Sequence, residues 1–354
     1  MTDLEKLCSR VTEAADCAVI TDDVNRRYFT AMKSSAGTLV AFPEKAYFII
    51  DFRYIEKAKK TVTACEVILQ DKLYEQINSL IKKHGAKTVS VNADTCTLSE
   101  LIAYQQKLNA EVIADTKLAE IIREIRTVKS QEQIDKIIKA QRIAEKGFAH
   151  MLDFIRVGRT EKEIQLELDY YMLKNGAEAL SFDTIALSGS NTSLPHGVPS
   201  DKKVESGEFV LMDFGATYDG WHSDMTRTVC VGKPSDKMKS VYETVLTAQL
   251  SALDAVKAGM PGKALDKIAR DIITEAGYGD NFGHSLGHGV GVEIHESPYA
   301  SPSREDILPE NSIVTVEPGI YLEGKFGVRI EDFVVVTENG CINMTKAPKE
   351  LICL

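Results

Sequence analysis

The first 125 residues alternate short apolar runs with stretches in which apolar positions recur every three to four residues. Ala18-Val-Ile, Thr38-Leu-Val-Ala-Phe, Tyr47-Phe-Ile-Ile, Val67-Ile-Leu and Val89-Ser-Val have the length and composition of buried strands. Between them Leu73, Ile77, Leu80 and Ile81 fall on one helical face, and Gly85 follows as the expected C-cap. The pattern predicts an α/β domain over 1–125. Its single histidine, His84, is expected at the polar end of that helix and not in a site.

A second domain is expected over 126–354. Ser130 and Gln133 form a capping-box pattern that opens a helix carrying Ile134, Ile137 and Ile138 on one side. Beyond it lies a weak repeat. Ile155-Arg-Val-Gly158-Arg-Thr-Glu-Lys162-Glu-Ile164 aligns with Val256-Lys-Ala-Gly259-Met-Pro-Gly-Lys263-Ala-Leu265 at an offset of 101 residues, and Gly176 and Gly277 keep that offset. In each copy a helix ends at Gly, a second helix follows and another Gly closes it; Thr160 and Glu163 cap the first copy. Strand-like segments come next. Two α/β halves related by pseudo-twofold symmetry, with a cleft between them, would account for this; chance similarity of two helical hairpins is the competing reading.

Composition adds mainly exclusions. A chain of 354 residues, 44% hydrophobic and 27% charged, can bury its cores without disulfides. The seven cysteines are scattered and include no C-x-x-C pair, so neither a zinc knuckle nor a disulfide framework is expected. The N-terminus has no basic region leading into an apolar one, and no stretch approaches about 18 apolar residues. No membrane span or secretory signal is expected, and the cytoplasm is the default location. A net charge of −10 argues against a nucleic-acid surface, which needs a basic patch.

Candidate chemistry comes from carboxylates in apolar surroundings. Asp213 interrupts Phe209-Val-Leu-Met-Asp213-Phe-Gly, Glu317 follows Ile313-Val-Thr-Val, and Glu331 heads the β-branched run after Val328-Arg329-Ile. Asp224 lies eleven residues after Asp213, the spacing of two arms of a hairpin. Acidic residues are depleted in strands, and an unpaired buried carboxylate costs many kcal/mol. One such residue can face solvent on a wet strand face; four in one domain call for a shared explanation. Between them runs Phe282-Gly-His284-Ser-Leu-Gly-His288-Gly-Val-Gly-Val-Glu-Ile-His295. His284 and His288 have a helical ligand spacing, but three glycines among residues 285–291 predict a glycine-dense turn that brings backbone close to a ligand. Four carboxylates with an imidazole and no thiolate suit Mn, Co or Zn and balance two dications. Two such ions about 3.5–4 Å apart would share a water and lower its pKa to about 7, which is hydrolytic chemistry.

The motifs L-M-D-F-G, S-D-M-T-R-T, G-H-S-L-G-H-G-V-G, V-E-P-G-I-Y and R-I-E-D together resemble the pita-bread metallopeptidases, in their aminopeptidase P and prolidase branch. Asn25-Arg-Arg-Tyr28, Ser35-Ala-Gly and Asp51-Phe-Arg53-Tyr54 resemble that branch's creatinase-type N-terminal domain, so the resemblance covers nearly the whole chain. It implies a creatinase-like domain over 1–125 and a pita-bread catalytic domain over 126–354. Asp213, Asp224, His288, Glu317 and Glu331 match the five metal ligands. His196, in Leu194-Pro195-His196-Gly, and His295 match the histidines that bind substrate and stabilise the tetrahedral intermediate. His284 and Arg329 match residues around the prolyl group, and Glu317 matches the glutamate that also shuttles the proton. His222, on the same strand face as Asp224, has no assigned role.

What the resemblance implies is an Xaa-Pro peptidase, a homodimer with two divalent ions per chain, manganese first and cobalt or zinc as alternatives. Its substrates would be peptides with proline second. An Xaa-Pro aminopeptidase using a metal-bridging hydroxide is the reading put first, with an Xaa-Pro dipeptidase as the alternative. A non-catalytic binding protein on the same fold, or a creatine hydrolase, would have no reason to keep four buried acids. Methionine aminopeptidase usually lacks such an N-terminal domain. Fold alone never settles substrate.

Overall fold

The computed structural model describes all 354 residues, and the chain divides into two compact units, Met1–Arg126 and Thr127–Leu354. The first unit is built on β1 (Cys17–Ile20), β2 (Thr38–Ala41), β3 (Ala46–Ile50), β4 (Glu66–Leu69), β5 (Thr88–Val91) and β6 (Glu111–Ile113), which form one sheet in the order β4-β3-β2-β1-β5-β6. Alternate residues explain why these strands read as continuous apolar runs. Ala18 and Ile20 pack with Leu118, Ile121 and Ile122 on one face, whereas Cys17 and Val19 pack with Ile77, Leu80 and Ile81 on the other. Both faces are covered by helices, so neither can be polar. The helix Leu73–His84 ends on Gly85 at φ 68°, as its sequence predicts. His84 accordingly stays at the helix end, stacked on Phe42 with its Nε2 2.9 Å from the Tyr47 hydroxyl.

The second unit repeats one arrangement twice. The helices Gln131–Phe154 and Glu161–Lys174 cover the antiparallel strands Ile185–Ser188, Glu208–Phe214 and Met225–Val231. The helices Asp236–Ala255 and Gly262–Glu275 cover Ile313–Val316 and Asp332–Thr337. Gly158, Gly259, Gly176 and Gly277 all adopt positive φ, from 80° to 106°. Gly176 and Gly277 close their helices as expected, but the preceding helices end at Phe154 and Ala255, and Gly158 and Gly259 turn the chain a few residues later. Thr160 and Pro261, also 101 residues apart, each make an isolated antiparallel bridge, to Lys203 and Ile307. The repeat is therefore structural. No helix is long and apolar enough to cross a membrane.

Candidate metal centre

Strand alternation aims the first carboxylate. In Glu208–Phe214, Val210, Met212 and Phe214 pack on the first helix pair, so Asp213 must point to the opposite face. Asp224 arrives beside it through a hairpin turning at Asp219-Gly220, both at positive φ. Thr217 pairs with His222 on the inner side of a short break and Phe214 with Met225 on the outer side, one continuous register. The expected hairpin is present, and the break at Ser223 and Asp224 lets that carboxylate leave the ladder. On the second half, Val314 and Val316 pack on helices while Thr315 faces the other way, and Glu317 follows directly after the strand. Glu331 immediately precedes Asp332–Thr337.

His288 comes on a short strand, Gly287–Gly289, where a turn was expected. The glycines act as predicted all the same. A Cβ on Gly287 would lie 1.9 Å from the Thr315 carbonyl oxygen, and one on Gly289 would lie 2.4 Å from that of Ser297. Only glycine lets this backbone approach so closely, and the approach is fixed by the bond from the His288 N–H to Thr315 Oγ1, 3.0 Å.

These groups meet in a cavity of about 520 Å³, lined by all five ligand candidates together with His196, His284, His295 and Arg329. Ligand-type atoms of Asp224, His288 and Glu331 lie within 4.8 Å of one another. His288 Nε2 is 3.3 Å from Glu317 and 3.6 Å from Asp224. Two buried oxygens, Asp213 Oδ1 and Glu331 Oε1, have no hydrogen-bond partner, although buried carboxylates normally have one. Burial, then the charges of the neighbouring acids, pushes Asp224 and Glu331 well above the ordinary carboxylate range. Burial also raises Asp213, against the pull of Arg329. Unsatisfied oxygens on crowded acids are what a divalent cation relieves, so the residues fit the metal that the sequence implies.

The tautomers can be worked out from neighbouring acceptors. His288 Nδ1 lies 3.0 Å from the Gly289 carbonyl oxygen, which can only accept, so Nδ1 carries the proton and Nε2 faces the acids. Burial opposes charge on this ring, but the bond to Glu317 and the charges of Glu317 and Asp224 outweigh it and raise its pKa to about 9. Glu317 is correspondingly lowered to about 2, burial being overcome by His288. A metal ligand must be deprotonated. Loading the chelated protein at pH 7 is therefore expected to release at least the His288 proton, and metal affinity should rise with pH. Calorimetric titrations in two buffers of different ionisation enthalpy check this; a heat independent of buffer would contradict it.

Arg329 reaches the cavity as expected, but four of its five N–H donors are engaged. It bonds Asp213 Oδ2 (2.5 Å), the Tyr321 hydroxyl (2.8 Å), Thr226 Oγ1 (3.0 Å) and the Pro195 carbonyl (3.4 Å). A chain of bonds continues from it. Tyr321 donates to His284 Nε2 at 2.9 Å, and His284 Nδ1 donates to the Ser285 carbonyl at 2.8 Å. Burial keeps His284 low and neutral, which this tautomer requires. His284 thus lines the cavity with both ring nitrogens already bonded. Tyr321 was not singled out in the sequence, although it lies within the V-E-P-G-I-Y motif.

His196 and His295 are both exposed at the cavity wall. His295 meets His288 edge to face, with ring centroids 4.4 Å apart. Burial and the His288 charge lower its pKa. His222 lies away from the cavity lining, its Nδ1 3.3 Å from Thr217 Oγ1. Glu331 faces the cavity, whereas the adjacent Asp332 is fully buried and pairs with Arg227 at 2.7 Å and with Lys349.

Residues 4–128 match the family model described as the creatinase/prolidase N-terminal domain, and residues 135–338 match that of metallopeptidase family M24. A solved Xaa-Pro dipeptidase from Bacillus anthracis is 42% identical, with 99% of each chain covered and a TM-score of 0.96. An Xaa-Pro dipeptidase of Pyrococcus furiosus is 40% identical over 99% of both chains. A solved X-Pro aminopeptidase from Thermotoga maritima is 39% identical over 96% of this chain and 98% of its own, with a TM-score of 0.90. With its acids converging on one cavity and a creatinase-type domain preceding them in the chain, the chain belongs to metallopeptidase family M24.

Proposed function

We propose that this chain is an Xaa-Pro dipeptidase, hydrolysing the bond between the first residue and a following proline with two divalent ions, manganese foremost. Asp213, Asp224, His288, Glu317 and Glu331 would hold them. The observation that carries this reading is the convergence of these five groups on one cavity with two carboxylate oxygens left unpartnered. The dipeptidases among the relatives favour it over the aminopeptidase first read from the sequence. The cytoplasmic location and the homodimer belong to the same proposal, and sedimentation of the purified protein tests the dimer.

Divalent ions bound here would ionise a water at neutral pH and draw electron density from the scissile carbonyl. His196 and His295 donate N–H groups to that carbonyl oxygen as it becomes an oxyanion. Glu317, ionised as a metal ligand must be, takes a proton from the attacking water and returns it to the prolyl nitrogen. That nitrogen has no hydrogen in the peptide, so the site need satisfy no donor there, yet it must gain one to leave.

The test is a substrate panel. Ala-Pro should be hydrolysed fast, Ala-Pro-Ala slowly and Ala-Ala-Ala hardly at all. Equal rates on the first two would restore the aminopeptidase reading, and equal rates on all three would remove proline from it. His196→Ala should keep its metals and lose about 10²–10³ in kcat, the usual cost of one oxyanion donor. Because four of its five donors are spent within the chain, Arg329→Ala should harm Ala-Pro and Ala-Pro-Ala alike, acting through Asp213; a loss confined to Ala-Pro would make it a carboxylate receptor instead.

A further inference from the structure

Glu161 opens the helix Glu161–Lys174, is fully buried and does not line the cavity. A buried glutamate is rare unless its charge is compensated. Here the donors all come from one stretch of chain. Oε1 accepts from the Ser188 N–H (2.7 Å), Ser188 Oγ (3.2 Å) and Asn191 Nδ2 (3.0 Å). Oε2 accepts from the Ser200 N–H (3.0 Å), Ser200 Oγ (2.6 Å) and again Asn191 Nδ2 (3.2 Å). Its place in the first turn of the helix adds the favourable end of the helix dipole. One carboxylate thereby closes the base of segment 188–200, joining its start, the short helical turn Gly189–Ser193 and its end.

The same segment is anchored on its other side. The Gly327 N–H donates to Thr192 Oγ1 at 2.8 Å, and a Cβ on Gly327 would lie 2.2 Å from the Thr192 carbonyl oxygen. Arg329 reaches the Pro195 carbonyl. Between these anchors, along the chain, sits His196, whose side chain is exposed at the cavity wall.

We infer that Glu161 is a positioning residue that holds His196 at the cavity wall by closing the base of the 188–200 segment. This rests on His196 being the oxyanion donor. Glu161→Gln puts an amide against Ser and Asn donors, and should lower kcat on Ala-Pro by about 10²-fold, the scale of a small misplacement of a catalytic group. Metal content should stay at the wild-type value and KM should change little. Asn191→Ala, which leaves the serine bonds in place, should show a smaller loss of the same kind and carries the test if Glu161→Gln does not fold. The decisive measurement is a double-mutant cycle. In a His196→Ala background either change should cost less than about twofold, the scatter expected of unconnected sites. Losses that instead add to that of His196→Ala, or that come with lost metal, overturn the positioning role alone. A His196→Ala variant with wild-type kcat overturns the assignment of His196, and that of Glu161 with it.

Discussion

Stripping divalent metal with a chelator is expected to lower Ala-Pro hydrolysis on the order of 10³-fold or more, and adding manganese back should restore it. Several kcal/mol of charge stabilisation go with the ions, at about 1.4 kcal/mol per tenfold in rate. Glu331→Gln should reproduce the loss, because Glu331 Oε2 is held by Thr226 at 2.7 Å while Oε1 is the oxygen without a partner. The variant should retain fewer than two metals by elemental analysis. Its chelated form should nevertheless melt no lower than chelated wild type. The sign follows from the raised pKa of Glu331. A carboxyl raised in the folded state destabilises progressively as pH climbs from its unfolded to its folded pKa, so a neutral amide removes a burden at pH 7. Full activity without metal would sink the whole hydrolytic reading; a chelated Glu331→Gln that melts far below wild type would show that the residue is structural.

The neighbouring residue should behave in the opposite way. Asp332→Asn is expected to destabilise the protein by about 3–5 kcal/mol, the usual result of breaking a buried ion pair from one side. For a unit of this size that is a fall in Tm on the order of 10 °C. Asp332 accepts from Arg227 at 2.7 Å and Asn343 at 2.7 Å, and also pairs with Lys349. Burial opposes its charge, but Arg227 and Lys349 overcome it and hold the group below the ordinary carboxylate range. Losing it would strand Arg227, which is 1% exposed. Arg227 also bonds the backbone of Glu331 and Ala347, so the damage spreads to both of those segments. Folded Asp332→Asn should still bind its metals. Loss of metal with an unchanged Tm would mean that Asp332, and not Glu331, faces the cavity.

Sequence alone determined the elements and the kind of chemistry. Strands buried on both faces must be apolar throughout, so Ala18–Ile20 and Tyr47–Ile50 were legible without knowing what covers them. Capping boxes and positive-φ glycines are local, so Ser130, Thr160, Gly176 and Gly277 marked helix ends correctly, whereas Gly158 and Gly259 fall in the turns that follow helices ending at Phe154 and Ala255. Acids within apolar runs stand out for the same reason: their cost is a property of the residue in that setting.

What only the tertiary structure decided is which groups share partners. A carboxylate looks the same in sequence whether it faces unpartnered space, as Glu331 Oε1 does, or a guanidinium, as Asp332 does. Nothing local distinguishes an arginine with donors to spare from Arg329, whose bonds run to residues 116, 103 and 8 positions away. Glu161 carries no signal in the sequence beyond its place after the Thr160 cap, because the donors that satisfy its oxygens lie 27 to 39 residues downstream. Hydrogen bonds and ion pairs act over about 3 Å of space regardless of separation along the chain. Periodicity and capping reach only a few residues, so partnership had to wait for the fold.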